Sequence, residues 1–226
     1  MKMLLARALT AAAVIVLAGC AGTTVKKDAF VKPPKLAIIT IQGSAHGVYT
    51  SDTEDAKILA DTVPACLGEI DKSHRIHLLP AKAVMHAKAY AAMKDQGATI
   101  TMQLVPGYKK ISVDDEKPQL HALAKELHVD GFVLLYLTYG QDTSFGIGIG
   151  PIGIGAKKPT ADVGIAAFNP DGETIWQGHA HLRGDDGIVT VDGIGSYSTL
   201  VAKYKALTQK VCGTTVQDLE KQVAAR

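Results

Sequence analysis

The stretch FVLLYLTY at residues 132–139 decides the fold class. It is an unbroken apolar run, and such runs form strands that lie inside a sheet with both faces covered. Residues 35–41 (KLAIITI) form a second, β-branched run and predict the first strand of the domain. Between the two runs apolar residues recur at helical spacing, and one helix is expected to begin near Pro80 and stop at Gly97. The pattern predicts strands that alternate with helices.

The residues after the central run predict a hairpin and a helical end. Residues 161–168 and 173–182 flank the turn sequence NPDG, which favours a β-hairpin. Residues 196–211 form an amphipathic helical pattern that Gly213 is expected to end, with one short helix after it. We therefore predict an α/β fold, in which a mixed β-sheet flanked by helices forms a single layered domain with a Gly-rich β-hairpin extension.

The composition excludes some classes of function. The 226 residues carry 24 Lys and Arg against 22 Asp and Glu, and a net charge of +2 is too small for a nucleic-acid binder. Four Phe, seven Tyr and one Trp also offer few rings for stacking on bases or sugars. No Ser, His and Asp set can be singled out as a catalytic triad, because residues 44–46 lack a G-x-S-x-G elbow, and we expect no enzymatic activity. We also expect no cofactor.

The N-terminus has the pattern of a secretory signal. Lys2 and Arg7 precede an apolar stretch at residues 8–18, which is too short to span a bilayer as a helix. The residues that end it, LAGC at 17–20, resemble the bacterial lipobox. That resemblance implies cleavage before Cys20 and acylation of its thiol by fatty acids such as palmitate. Ala21, where an Asp would favour the inner membrane, implies an outer-membrane lipoprotein that faces the periplasm.

The expected organisation has three parts. Residues 1–19 are the signal peptide, residues 20–34 are the lipidated N-terminus and a tether, and residues 35–226 are a single α/β periplasmic domain. Cleavage would remove two basic residues, so the mature chain would hold 22 basic and 22 acidic residues. A neutral body of this kind depends on its lipid, rather than on charge, for a durable hold on the membrane.

Three segments together resemble a known group of proteins. They are KLAIIT at residues 35–40, VDGFVLLYLTYG at 129–140 and ADVGIAAFNPDGETIWQGHAHL at 161–182. In this order they resemble small bacterial envelope lipoproteins that share a fold with the curli-secretion lipoprotein, the penicillin-binding-protein activator lipoproteins and the amino-terminal domain of the Tol propeller protein. The resemblance implies a protein that acts through protein contacts in the periplasm, and it supplies no catalytic residue.

The sequence FGIGIGPIGIG at residues 145–155 contains a formal GxGxxG at 148–153. A dinucleotide site needs a helix directly after this motif, and the residues that follow predict a strand, so we expect no nucleotide. The stretch could be a β-extension packed on its own domain, or an apolar contact for a partner, the membrane or a sister subunit. It could also belong to an oligomeric secretion or pore subunit, although arms of about five residues are short for spanning a bilayer. The candidate contact residues are Phe145, Ile147, Ile149, Ile152 and Ile154.

His179 and His181 lie two residues apart on a predicted strand and therefore share one of its faces. They could be two ligands of a metal, but zinc takes three or four and no third ligand is identified, so no metal site is expected. Hydrogen-bonding or solvent-facing histidines are the default interpretation. Both residues are also candidate contacts for a partner, and a small-ligand or metal-binding lipoprotein is an alternative function.

Cys66 and Cys212 are the two cysteines left after Cys20. Each lies on or beside the apolar face of a predicted helix. In an oxidising compartment they could form a disulfide if the two helices flank the same side of the sheet. Two buried free thiols are the alternative.

These observations predict a lipid-anchored protein of the bacterial envelope. We expect it to act by protein–protein contacts as an accessory or structural factor, without catalysis. Its expected partners are the membrane, through the lipid on Cys20, and either another envelope protein or further copies of itself. The alternatives are the oligomeric secretion or pore subunit and the small-ligand or metal-binding lipoprotein.

Overall fold

The computed structural model describes residues 23–45, 52–98, 102–149, 152–184, 188–191 and 197–225. Cys20 and the signal peptide lie outside the described residues. Strands and helices alternate up to residue 131, and four strands then follow one another before the last helix. The strands are β1 (Thr23–Val25), β2 (Lys35–Ser44), β3 (His77–Leu78), β4 (Gln103–Leu104), β5 (Gly131–Ile149), β6 (Ile152–Phe168), β7 (Thr174–Arg183) and β8 (Ile188–Val191). The α-helices are α1 (Asp52–Asp71), α2 (Ala81–Met85), α3 (Lys88–Ala92), α4 (Lys117–Leu127) and α5 (Tyr197–Ala224), and a 3-10 helix covers Lys27–Phe30.

The eight strands found in the described residues form one mixed sheet. Its main order is β1-β7-β6-β5-β2-β3, with β4 also paired to β2 and β8 to β6. Strands β2, β3 and β5 run parallel, and the other pairs are antiparallel. The predicted mixed α/β architecture is confirmed. The hairpin around NPDG is also present, since Asn169 N–H donates to the carbonyl of Glu173 and Gly172 adopts φ 84° in the turn.

The first part of strand β5, residues 132–135, is covered on both faces, in keeping with its apolar sequence. Val133, Leu135 and Leu137 belong to a buried cluster that α1 and α5 complete. Phe132 and Leu134 belong to a second cluster on the opposite face, which α3 and α4 complete. Because side chains of a strand alternate between faces, one apolar run supplies the centre of both layers.

A disulfide joins α1 to α5 in the first layer. Cys66 and Cys212 are fully buried and their Cα atoms lie 5.4 Å apart, within the usual range for a bridge. The two helices therefore flank the same side of the sheet, which is the condition that the sequence analysis set for this pairing. The bridge closes a loop with a sequence separation of 146 residues.

A buried polar cluster lies between the same helices and β5. The hydroxyl of Tyr139 lies 2.8 Å from Thr208 Oγ1, and Thr208 in turn donates to the carbonyl of Tyr204. Tyr204 donates its own hydroxyl to the carbonyl of Gly140 at 2.6 Å. Burial raises the pKa of Tyr139 to about 12, with hydrogen bonds to Thr208 and Thr62 acting in the opposite direction. The folded state therefore favours the neutral phenol.

We expect the protein to lose stability between pH 10 and pH 12 through Tyr139. In this window the unfolded phenol releases its proton and the folded one keeps it, so each pH unit lowers the free energy of unfolding by about 1.4 kcal/mol. Tyr139→Phe lacks this titration. Urea unfolding at pH 9, 10 and 11 should show that the difference in the free energy of unfolding between wild type and Tyr139→Phe shrinks above pH 10. A difference that stays constant with pH would contradict the raised pKa of Tyr139.

Two helical predictions were wrong. Gly213 does not end the last helix, because α5 runs through it and continues the apolar face with the buried Val216 and Leu219. Packing thus outweighs the low helix propensity of glycine. The single helix expected between Pro80 and Gly97 is instead the pair α2 and α3. Lys109 Nζ donates to three carbonyls at the end of α3, those of Tyr90, Ala91 and Met93, and so satisfies groups that a longer helix would have paired.

The segment expected to be a tether belongs to the fold from Thr23 onward. Strand β1 pairs with β7, placing Thr23 opposite Gly178 and Val25 opposite Trp176. Phe30, on the following 3-10 helix, is only 2% exposed. The apolar residues Val25 and Phe30 and the free edge of β7 are enough to hold this short segment. A strand of three residues is too short to give a strand pattern in the sequence. The folded domain therefore begins before residue 35.

Candidate functional site

One part of the sheet is left without a cover of described helices. On the face opposite α1 and α5, the second apolar cluster ends near Leu134, and Thr138 and Asp142 farther along β5 are exposed. Polar and small residues occupy this part of the four neighbouring strands. We call it the open face and define it by Gln42, Ser44, Tyr136, Thr138, Asp162, Gly164, His179 and His181.

The strand register brings these residues into two rows. Ser44, Thr138, Asp162 and His181 are opposite one another in the first row, taken strand by strand from β2 to β7. Gln42, Tyr136, Gly164 and His179 form the second row in the same way. Neighbouring strands lie about 4.8 Å apart, so each row crosses the face in about 14 Å. The open face is therefore assembled from four strands that are distant in sequence.

His179 and His181 lie on one face, as predicted, and Asp162 lies between them. Asp162 Oδ1 is 2.8 Å from His181 Nδ1 and 3.9 Å from His179 Nε2. All three side chains are roughly half exposed. The carboxylate restrains the orientation of the His181 ring through this contact. The described residues hold no group of three or more His, Cys, Asp or Glu side chains arranged for a metal ion.

The second row is polar and more buried than the first. Gln42 is 5% exposed and hydrogen-bonds the hydroxyl of Tyr136. Burial raises the pKa of Tyr136, and the bond from Gln42 partly offsets that effect. Within the described part of the chain, Gln42 Oε1 has no hydrogen-bond partner. Gly164 has no side chain to cover the neighbouring Tyr136, whose Cβ would lie 3.6 Å from an added methyl group.

The Gly-rich stretch forms the far end of the β5–β6 hairpin. The register pairs Ile147 with Ile154 and Ile149 with Ile152, with glycines opposite glycines between them. Strands β5 and β6 are 19 and 17 residues long, so the arms continue strands of the domain and the expectation of five-residue arms was wrong. Gly150 and Pro151 at the tip lie outside the described residues. The formal GxGxxG thus covers the end of β5 and the start of β6, and β6 continues after it in place of a helix.

A β-bulge aligns the apolar hairpin positions with the open face. Even-numbered positions of β6 share a face with Asp162, which includes Ile152 and Ile154. On β5 the even positions through Asp142 lie on this face, and the register shift between Thr143 and Phe145 moves the alternation to odd positions. The predicted contact positions of the hairpin and the two histidines therefore belong to one continuous sheet face. They are Phe145, Ile147, Ile149, Ile152, Ile154, His179 and His181.

The register at Asp162 and the bulge are the two features that sequence reasoning missed. Alternation could place the two histidines together, but not the acid opposite them on another strand. Of the other predicted site residues, Cys66 on α1 and Cys212 on α5 lie in the buried cluster on the other side of the sheet, away from the open face. None of the helices in the described ranges is long and apolar enough to cross a membrane.

No protein-family model matches the chain, and no curated protein matches it. Solved structures similar to it include a protein from Helicobacter pylori assigned as a neuraminyllactose-binding hemagglutinin homolog, with a TM-score of 0.45 and 6% identity over 85% of this chain and 88% of that one. The hypothetical protein CT253 from Chlamydia trachomatis has a TM-score of 0.41 and 14% identity over 85% and 99% of the two chains. Lipoprotein GNA1162 from Neisseria meningitidis has a TM-score of 0.33 and 16% identity over 86% and 100%. Bacterial proteins, one of them a lipoprotein, are thus among the structures this chain is similar to.

Proposed function

We propose that the protein is a lipid-anchored factor of the bacterial envelope that acts by binding another protein through its open face and the β5–β6 hairpin. The observation that carries the proposal is the bulge between Thr143 and Phe145, because it aligns apolar hairpin positions with the His179–Asp162–His181 cluster. The lipobox at Cys20 supports the anchor, and Ala21 supports an outer-membrane position facing the periplasm.

The composition of this surface suits protein recognition. Specific interfaces combine an apolar centre with a polar rim that supplies hydrogen bonds. Here the isoleucine and phenylalanine positions of the hairpin would form the apolar part, and the half-exposed His179, His181 and Asp162 would form the polar part. Strands hold both parts, so a partner would meet a surface whose backbone is largely set before binding.

The distances across the open face support binding over hydrolysis. A nucleophile must lie within hydrogen-bond reach of its general base. Ser44 and His181 share a row, but three strand spacings of about 4.8 Å separate their strands, and Asp162 lies between. Asp162 contacts His181, which could serve as a general base. The two hydroxyl residues of the row, Ser44 and Thr138, both lie on the Asp162 side of His181.

A second candidate is that the partner is another copy of the same chain, as in an oligomeric secretion or pore subunit. The observation that favours it is the length of β5 and β6, 19 and 17 residues, which carries the hairpin well beyond the strands β2 and β7 that flank it. The contact surface would be the same in both cases.

The test is copurification of the lipidated protein from detergent-solubilised envelope membranes. One variant replaces residues 145–155 with a neutral Gly-Ser linker, and another is His179→Ala/His181→Ala. His74→Ala, an exposed histidine outside the open face, is the matched control. We expect wild type and His74→Ala to retain the same protein, the double variant to retain about tenfold less, and the linker variant to lose it.

Two outcomes redirect the proposal. Equal retention by all four proteins, with far-ultraviolet circular dichroism showing that each is folded, would exclude the open face as the binding site. Retention of the chain's own copies alone, lost in the linker variant, would favour the oligomeric candidate.

A further inference from the structure

Residues 26–35 form an exposed turn close to the proposed lipid anchor. Thr23 in β1 is three residues after Cys20, so at about 3.5 Å per residue the folded edge of the sheet begins within about 11 Å of the lipidated residue. Lys26 N–H donates to the carbonyl of Ile175, and Phe30 is buried, so the turn is fixed to the domain on both sides. A lipid on Cys20 would therefore hold this turn near the bilayer. This step rests on the proposed anchoring.

Val31 is the most unusual residue of this turn. Its side chain is 81% exposed, and it is the one large hydrophobic residue so exposed among those whose side chains the structure describes. Its neighbour Phe30 points into the core, which fixes Val31 on the outside. Val31 also borders a groove of about 670 Å³, whose apolar walls include Ala29, Pro33 and Ile175. An apolar contact at this point would remove from water a surface that the fold leaves uncovered.

The charges around Val31 fit a headgroup layer better than a hydrocarbon interior. Lys26, Lys27 and Lys32 are exposed, and the acids around them are Asp28, Asp130 in the groove lining and Glu173, which pairs with Lys26 at 2.9 Å. Positive and negative charges are therefore balanced around Val31. Long lysine side chains can extend to phosphate groups while an apolar neighbour enters the boundary between headgroups and acyl chains.

We propose that the turn formed by residues 26–35 lies on the lipid bilayer, with Val31 at the level of the upper acyl chains. The occupant of the exposed apolar surface is thus the membrane that holds the anchor. The contact would orient the β1 edge of the sheet toward the bilayer. Five inter-strand spacings separate β1 from β3, so the opposite edge would stand about 24 Å away.

Fluorescence quenching by brominated lipids tests this orientation. The lipidated protein is reconstituted into vesicles of phosphatidylethanolamine and phosphatidylglycerol whose acyl chains carry bromine near the headgroup. Val31→Trp is compared with Lys82→Trp, an exposed position on α2 beside the far edge of the sheet. The buried Trp176 of wild type gives the baseline. We expect Val31→Trp emission to shift to the blue and to fall by at least half, and Lys82→Trp emission to remain unchanged.

Each other outcome is distinguishable from failure of the anchor. If both variants float with the vesicles and neither is quenched, the membrane contact is excluded while the anchoring stands. If Val31→Trp shifts to the blue without quenching, the surface is covered by protein, and the proposal is also overturned. If neither the wild-type protein nor Cys20→Ala floats with the vesicles, the proposed lipid anchor is excluded, and the membrane contact is excluded with it.

Discussion

Replacing both Cys66 and Cys212 with alanine is expected to lower the free energy of unfolding by about 3–5 kcal/mol. The bridge links positions 146 residues apart, and loop-closure entropy grows with the length of the loop that is closed. It also joins the two long helices that cover one face of the sheet, so both helices lose a fixed relative position when it is removed. An effect of this size is a large part of the stability of a typical domain.

Urea unfolding under oxidising conditions measures this prediction. Wild type treated with a thiol reductant should approach the Cys66→Ala/Cys212→Ala variant, and the same reductant should leave the variant unchanged. Val63→Ala, one turn away on the same buried face of α1, controls for the loss of side-chain volume. A change of less than about 1 kcal/mol on removing the bridge would show that the helices hold each other without it.

Gly43→Ala and Gly164→Ala are expected to have opposite effects although both glycines lie in the sheet. A methyl group at Gly43 would lie 2.4 Å from the backbone carbonyl oxygen of Leu137 and 2.5 Å from Leu59 on α1. The leucine side chain can move, but the carbonyl of a paired central strand cannot. We expect Gly43→Ala to cost about 3 kcal/mol or more, at the upper end for overpacked cores.

Gly164 on the open face is the matched control for Gly43. Its nearest neighbour to an added methyl is Tyr136 Cβ at 3.6 Å, an ordinary contact. Alanine there reduces the freedom of the unfolded chain, so Gly164→Ala should gain about 0.5–1 kcal/mol. Thermal unfolding should separate the variants by roughly 8–16 °C, at about 2–4 °C per kcal/mol. Similar melting temperatures for both would mean that the α1 face is less tightly packed than the structure describes.

The features that could be predicted from sequence are those that depend on local pattern. Residues 132–135 of the run are buried on both faces of the sheet because all four are apolar, and the NPDG turn needs only its own four residues. The two histidines two residues apart share a face for the same reason. None of these requires knowledge of a distant partner.

The features that could not be predicted depend on pairing between distant strands. Strand β1 exists because the edge of β7 is free to accept it, and nothing within its three residues indicates this. Asp162 meets His181 through the register of β6 with β7, which itself contains a shift between Ala167 and Phe168. The bulge before Phe145 has no sequence signature, yet it decides which face the apolar hairpin positions join.

The pairing of β1 with β7 also sets how far the domain can stand from its anchor. While β1 is docked, a lipidated Cys20 keeps the folded body within about 11 Å of the bilayer. If tension peeled β1 and the 3-10 helix from the sheet, residues 21–34 would become a strap of up to about 50 Å. Three residue pairs, the burial of Phe30 and polar contacts such as Gln222 Nε2 to the carbonyl of Thr23 resist that release. A protein under tension would thus extend its reach several-fold while β2, β5, β6 and β7 stay paired, at the cost of exposing Phe30.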